Sequence, residues 1–219
     1  MDAETVVCND PSSRRTLDRS SAPSHLLRKA HLFPPFNLSG VIPPFKSEPT
    51  DPDGSPYQTD LCTLVEQLGT SEERRRILNG LLEYRAALRT LGVTAGFQLI
   101  DGSFTEDCER QHGRPPSDID LVTYAYLPVP PSGVAGFQAA YPNLFQSRLS
   151  KHWFHCDAYF VDLSKSAELL LDDTFYWYGL FSHQKVTATW KGILRIPLMA
   201  DDEAAGRLLT QRMEADHGS

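Results

Sequence analysis

Two aspartates, Asp118 and Asp120, stand two residues apart in a run whose β-branched and aromatic members (Ile119, Val122, Thr123, Tyr124) read as a strand. Side chains alternate along a strand, so both carboxylates leave the same face, roughly 6 to 7 Å apart. That span suits sharing or bracketing divalent cations, because paired metals in phosphoryl-transfer sites lie about 3.5–4 Å apart. Ile119 and Leu121 then face a core. Upstream, Gly102 and Ser103 follow the apolar segment 95–100, where a strand would end in a turn. Glycine lets backbone N–H groups approach a phosphate closely, and a serine hydroxyl adds a donor. Asp-x-Asp also occurs on solvated strand faces, and Asp101-Gly102 is a common turn dipeptide; it is the combination that points to a metal–triphosphate pair.

A strand ending in Gly-Ser, a spacer and then Asp-hydrophobic-Asp resembles the signature of the polymerase-β-like nucleotidyltransferase superfamily. The resemblance implies an α+β fold, a nucleotidyltransferase-like mixed β-sheet flanked by helices. It also implies a third carboxylate from a neighbouring strand. Asp157, in the alternating, aromatic-rich run 155–161, is the best match and Asp162 the alternative. Beyond the motif, Val41 to Pro44, the helix ahead of the Gly-Ser strand and the run 190–196 look like an uncharacterised prokaryotic group of stand-alone nucleotidyltransferase-like proteins, over about residues 31–198.

What this resemblance implies is a Mg²⁺-dependent enzyme. It would move a nucleoside monophosphate from a nucleoside triphosphate such as ATP to a hydroxyl on a small molecule, a protein or a tRNA. Asp118, Asp120 and Asp157 would be the catalytic metal ligands, with Gly102 and Ser103 on the β and γ phosphates. Lys191, whose Trp-Lys-Gly context belongs to the resemblance, would bind the nucleotide. The alternative is a non-catalytic module of the same fold, for example one component of a toxin–antitoxin pair.

The elements that must position these residues are partly readable. Thr70 to Glu73 has the form of a capping box, and Ile77, Leu78, Leu81, Leu82, Tyr84 and Leu88 recur at helical spacing until Gly92, which predicts a long helix packed on the sheet. A shorter helix is expected over 60–68. The spacer 105–116 has poor helix composition, and 132–149 is expected to be partly helical with Pro142 interrupting it. Further predictions are a strand over 155–161 with His155, Asp157 and Tyr159 on one face, a helix over 167–181, a strand over 192–198 and a charged helix over 201–215. The aromatic quartet Phe175 to Tyr178 is expected in the core. Residues 46–58 read as loop. Residues 1–30 have too few large apolar side chains to offset their ordering entropy and predict a disordered tail. The proline-punctuated run from His31 to Phe45 predicts an extended N-terminal arm on a single domain spanning 31–219.

Composition narrows the classes. A chain of 219 residues can bury a sizeable core as one domain. Its net charge of −7 argues against a strongly basic nucleic-acid groove and tilts the acceptor away from long RNA. Cys8, Cys62, Cys108 and Cys156 lack zinc or disulfide-framework spacing, which is the pattern of free thiols in a reducing cytoplasm. No apolar run is long enough for a membrane span and no signal-peptide core is evident, so a cytoplasmic protein is expected. His155 and Cys156 would point to opposite strand faces, which disfavours zinc. The serine after Gly102 lacks the second glycine of a nucleophile elbow, and no Walker loop is present.

Overall fold

The computed structural model describes residues 32–50 and 52–217; the expectations for the 1–30 tail and for Cys8 lie outside them. Residues 32–45 form no regular helix or strand but bury Phe33, Val41 and Ile42. This segment is tied to the rest of the chain by Gly192 N–H donating to the Ile42 carbonyl at 2.7 Å and Asp107 N–H to the Gly40 carbonyl at 2.8 Å. A two-residue strand β1 (Tyr57–Gln58) lies where a loop was expected, because its backbone pairs in parallel with the last strand of the sheet.

Helix α1 (Leu61–Leu68) is followed by α2 (Glu72–Thr90). The cap of α2 sits one residue later than the sequence indicates. Ser71, not Thr70, accepts the backbone N–H of Arg74, so no Thr70–Glu73 box forms. Its apolar stripe of Ile77, Leu78, Leu81, Tyr84 and Leu88 is buried as the spacing predicts. Strand β2 (Gly96–Asp101) leads through a short 3₁₀ turn at Ser103–Thr105 to α3 (Cys108–His112). That five-residue helix falls in the spacer expected to be non-helical. Its ends explain it: Asp107 accepts Arg110 N–H, and Gly113 closes it in the left-handed region at φ 64°.

Strand β3 (Ile119–Ala125) is followed by three short helices, α4 (Val134–Ala140), α5 (Pro142–Phe145) and α6 (Ser147–Phe154). Pro142 opens α5 at its first turn, a position where a missing N–H costs nothing. Strand β4 (Cys156–Asp162), helix α7 (Ala167–Phe181), strand β5 (Leu194–Pro197) and helix α8 (Asp202–His217) complete the described chain.

The five strands make one mixed sheet in the order β1-β5-β2-β3-β4, so the fold is α+β with helices on both faces. β2 runs antiparallel to β5 and β3, whereas β3 and β4 are parallel. One face carries Ile100, Leu121, Ala158 and Ile196 into the larger core, built with α1, α2, α5 and α8. The other face, bearing Leu99, Val122, Tyr124 and Val161, packs against α7.

α7 corrects the aromatic expectation. Trp177 is buried with Phe181, but Phe175 is 66% and Tyr176 63% exposed. A helix that lies alone on a sheet face buries one stripe, here Leu170, Trp177 and Phe181, and leaves the rest in solvent. Among the described residues no helix is long and apolar enough to cross a membrane.

Gly80 lets α2 approach the end of α6. A Cβ there would lie 2.0 Å from the Phe154 carbonyl oxygen, two residues before β4 begins. Gly80→Ala is expected to destabilise the fold by about 1–3 kcal/mol through overpacking, despite the better helix propensity of alanine. Urea denaturation measures this, and a stabilised variant would show that the two helices do not meet as closely as described.

Candidate active site

Asp118 lies one residue ahead of β3 and Asp120 within it. The parallel register sets Asp120 opposite Asp157 on β4, and the antiparallel register sets it opposite Asp101 on β2. Asp118, Asp120 and Asp157 each offer an oxygen within 4.8 Å of the other two, a group that could hold a metal ion. Asp118 is 7% exposed. Its Oδ1 accepts the Ser117 hydroxyl at 2.9 Å, while its Oδ2 is paired with the Lys151 ammonium. Oδ1 of Asp157 is buried without a hydrogen-bond partner among the described residues. An all-oxygen set that includes an orphaned carboxylate oxygen, Asp157 Oδ1, fits a hard divalent cation such as Mg²⁺.

Asp162, the alternative third carboxylate, lies at the far end of β4. It accepts Ser164 N–H at 2.9 Å and the Ser164 hydroxyl at 2.6 Å, which caps the turn into α7. His155 does not share a strand face with Asp157. It is the left-handed residue that ends α6, at φ 55°, and β4 begins after it. Cys156 is buried, and burial pushes its thiol well above the usual range, which is the opposite of a zinc thiolate.

The Gly102 turn closes over the cluster. Gly102 has φ 83°, and a Cβ on it would lie 2.1 Å from Asp120 Oδ2, so only glycine lets the backbone pass so near that carboxylate. Ser103 follows, half-buried, at the start of the 3₁₀ turn. Lys191 holds this turn from inside. It is 2% exposed, and its ammonium donates to the Gly102 carbonyl at 3.1 Å and to Glu106 Oε1 at 2.7 Å, and it pairs with Asp101 Oδ1 at 3.1 Å. Gln184 completes the set by donating to Glu106 Oε2 at 2.9 Å. Thr105 Oγ1 donates to the Gly102 carbonyl at 3.0 Å.

Charge crowding shows in the protonation equilibria. Burial, then repulsion from Asp118 and Asp157, pushes the Asp120 carboxyl up to about 6, against the pull of Lys151 and Lys191. Burial raises Asp101 to about 7 although Lys191 opposes it. The hydrogen bond to Asp118 holds Lys151 above the usual lysine range. For Lys191, burial alone would lower the value, but Asp101 and Glu106 outweigh it.

Lys151, Asp101 and Glu106 were not singled out from the sequence. Asp101 carried a signal, as the last residue of the strand leading into Gly102. Lys151 carried none, being one of several polar residues in a short helix.

A model of a family of unknown function, DUF6932, matches residues 34–197, and the chain belongs to that family. The matched span runs from the irregular N-terminal segment to the end of β5 and includes every residue of this site. No curated protein and no solved structure matches the chain.

Two outcomes follow from the electrostatics. Burial, then the neighbouring carboxylates, push the Asp120 carboxyl from its ordinary 3.8 up to about 6, so the folded state binds that proton more tightly. The stabilisation is fully present below about pH 4 and is lost as the pH rises through about 6. In EDTA, Asp120→Asn is therefore expected to become more stable relative to the native chain as the pH rises from 4 to 7, reaching about 1–3 kcal/mol. A stability difference that does not change with pH, followed by urea denaturation, contradicts the charge crowding. Lys191→Met leaves Asp101 and Glu106 buried without their cation and is expected to cost about 3–5 kcal/mol at pH 7 and less at pH 5, where Asp101 can take up a proton. An unchanged melting temperature at pH 7 would refute that role.

Proposed function

We propose that this chain is a Mg²⁺-dependent nucleotidyltransferase of the polymerase-β-like type, which moves a nucleoside monophosphate from a nucleoside triphosphate to a hydroxyl acceptor. The observation that carries the reading is the convergence of Asp118, Asp120 and Asp157 within 4.8 Å beside the Gly102 turn. Clustering three carboxylates costs stability that a bound cation would relieve, and the Asp120 carboxyl is raised by burial and then by repulsion from Asp118 and Asp157.

In this reading Asp118, Asp120 and Asp157 would hold magnesium, each offering one carboxylate oxygen. When bound, the metal would supply positive charge that offsets the negative charge building as pyrophosphate departs. The turn at Gly102 and Ser103 brings backbone and a hydroxyl to the phosphate chain. Lys191 acts behind that turn, by fixing the Gly102 carbonyl and so the orientation of the loop, since its ammonium is spent on Asp101, Glu106 and Gly102. Asp157 has the free lone pairs on Oδ1 to accept the acceptor hydroxyl proton. As that oxygen bonds to the α-phosphorus, the bond to pyrophosphate breaks, and the leaving group carries away the bonding pair.

One observation favours a second reading. The Lys151 ammonium already neutralises Asp118 and reaches toward Asp157. A non-catalytic module of this fold, such as a toxin–antitoxin component, would keep that lysine as a permanent counter-charge.

Calorimetric titration with each ribonucleoside triphosphate separates the two. The proposal expects Mg²⁺-dependent binding to at least one of them, lost by a factor of about 100 or more in the Asp118→Asn, Asp120→Asn double variant. Binding that is unchanged in the double variant, or absent in the native chain, would overturn it.

A further inference from the structure

Lys151 has no part in the chemistry above, yet it occupies the centre of the site. Its ammonium is paired with Asp118 Oδ2 and lies 3.9 Å from Asp157 Oδ2, against two of the three carboxylates that converge. The base of the side chain is fixed. The Lys151 carbonyl accepts His155 N–H at 3.1 Å in the last turn of α6. The neighbouring Ser150 is wholly buried, donates through Oγ to the Cys156 carbonyl at 2.8 Å and accepts Ala158 N–H at 3.3 Å, which staples α6 to β4. The Lys151 side chain beyond that base is 49% exposed and stands on a flexible four-carbon stem. An ammonium and a divalent cation held by the same carboxylates repel strongly at such range, so both cannot stay. A polyphosphate arriving with the cation presents new anionic oxygens to a displaced ammonium.

We propose that Lys151 is a displaceable counter-cation: its ammonium neutralises Asp118 and Asp157 in the empty site, yields that position to the divalent cation, and then pairs with the phosphate chain the cation brings. This inference rests on the nucleotidyltransferase reading. It makes the bare site a poor cation binder and couples cation loading to the arrival of a triphosphate. The same lysine thus opposes one ligand and assists the other, which a merely structural ion pair would not do.

The test measures two affinities on the purified chain: Mn²⁺ alone by electron paramagnetic resonance, and inorganic triphosphate in saturating Mg²⁺ by calorimetry. Lys151→Met and Lys151→Gln are compared with native protein and with Arg148→Gln, which removes an exposed charge one helical turn earlier. Thermal melts confirm that each variant is folded, and the Gln variant keeps a hydrogen-bonding side chain should the Met variant fail to fold. Both Lys151 variants are expected to bind Mn²⁺ about tenfold more tightly and triphosphate about tenfold more weakly, with Arg148→Gln within about twofold of native in both. Equal or weaker Mn²⁺ binding by the Lys151 variants, or undiminished triphosphate binding, overturns the role of Lys151 while leaving the proposed function standing. A native chain that binds neither probe overturns both.

Discussion

Three carboxylates held within 4.8 Å of one another, two on adjacent strands and one just ahead of them, repel, and much of the surrounding structure answers that repulsion. The parallel pairing of β3 with β4 sets Asp120 beside Asp157, and Asp118 enters from just ahead of β3. Two lysines reach this group from different directions. Lys151 comes from α6 on the solvent side, and Lys191 comes from beneath, through Asp101 and the Gly102 turn. The two differ in burial, and that difference sets what each can do. Lys191, 2% exposed with three partners, is built into the turn, whereas the Lys151 side chain is 49% exposed.

The layering explains why the cluster lies where it does. α1, α2, α5 and α8 pack over one sheet face and make it the larger core. Among the described helices, the opposite face carries α7, which packs over Leu99, Val122, Tyr124 and Val161. Asp120 and Asp157 alternate with the residues of the larger core, Leu121 and Ala158 among them, and therefore emerge on the face that α7 leaves partly open. The short helices between β3 and β4 return the chain to that edge, with α6 bound to β4 through Ser150 and packed against α2 at Gly80.

Much of this was legible in the sequence for local reasons. The Asp118–Asp120 spacing, the Gly102 turn and the α2 stripe depend on periodicities of two and of 3.6, which a single segment displays by itself. Asp157 was legible only through resemblance, because nothing within 155–161 says which strand it pairs with. Features that depend on tertiary position were not visible. Lys151 reaches Asp118 across more than thirty residues of sequence, His155 leaves the strand because α6 ends on it, and the exposure of Phe175 and Tyr176 follows from α7 lying unaccompanied on its face. Lys191 shows the same limit, since its sequence context reads as a phosphate ligand while its burial makes it a brace for the loop.

The central claim is that the Asp118, Asp120 and Asp157 carboxylates form a cation site that works together with a triphosphate. The most direct measurement is a crystal structure of the chain grown with Mn²⁺ and a non-hydrolysable nucleoside triphosphate, read at the manganese absorption edge. The account predicts an anomalous peak bounded by the three carboxylates, with phosphate oxygens beside it and the Lys151 ammonium no longer on Asp118. A map without manganese at the cluster, with Lys151 still paired to Asp118, would contradict it.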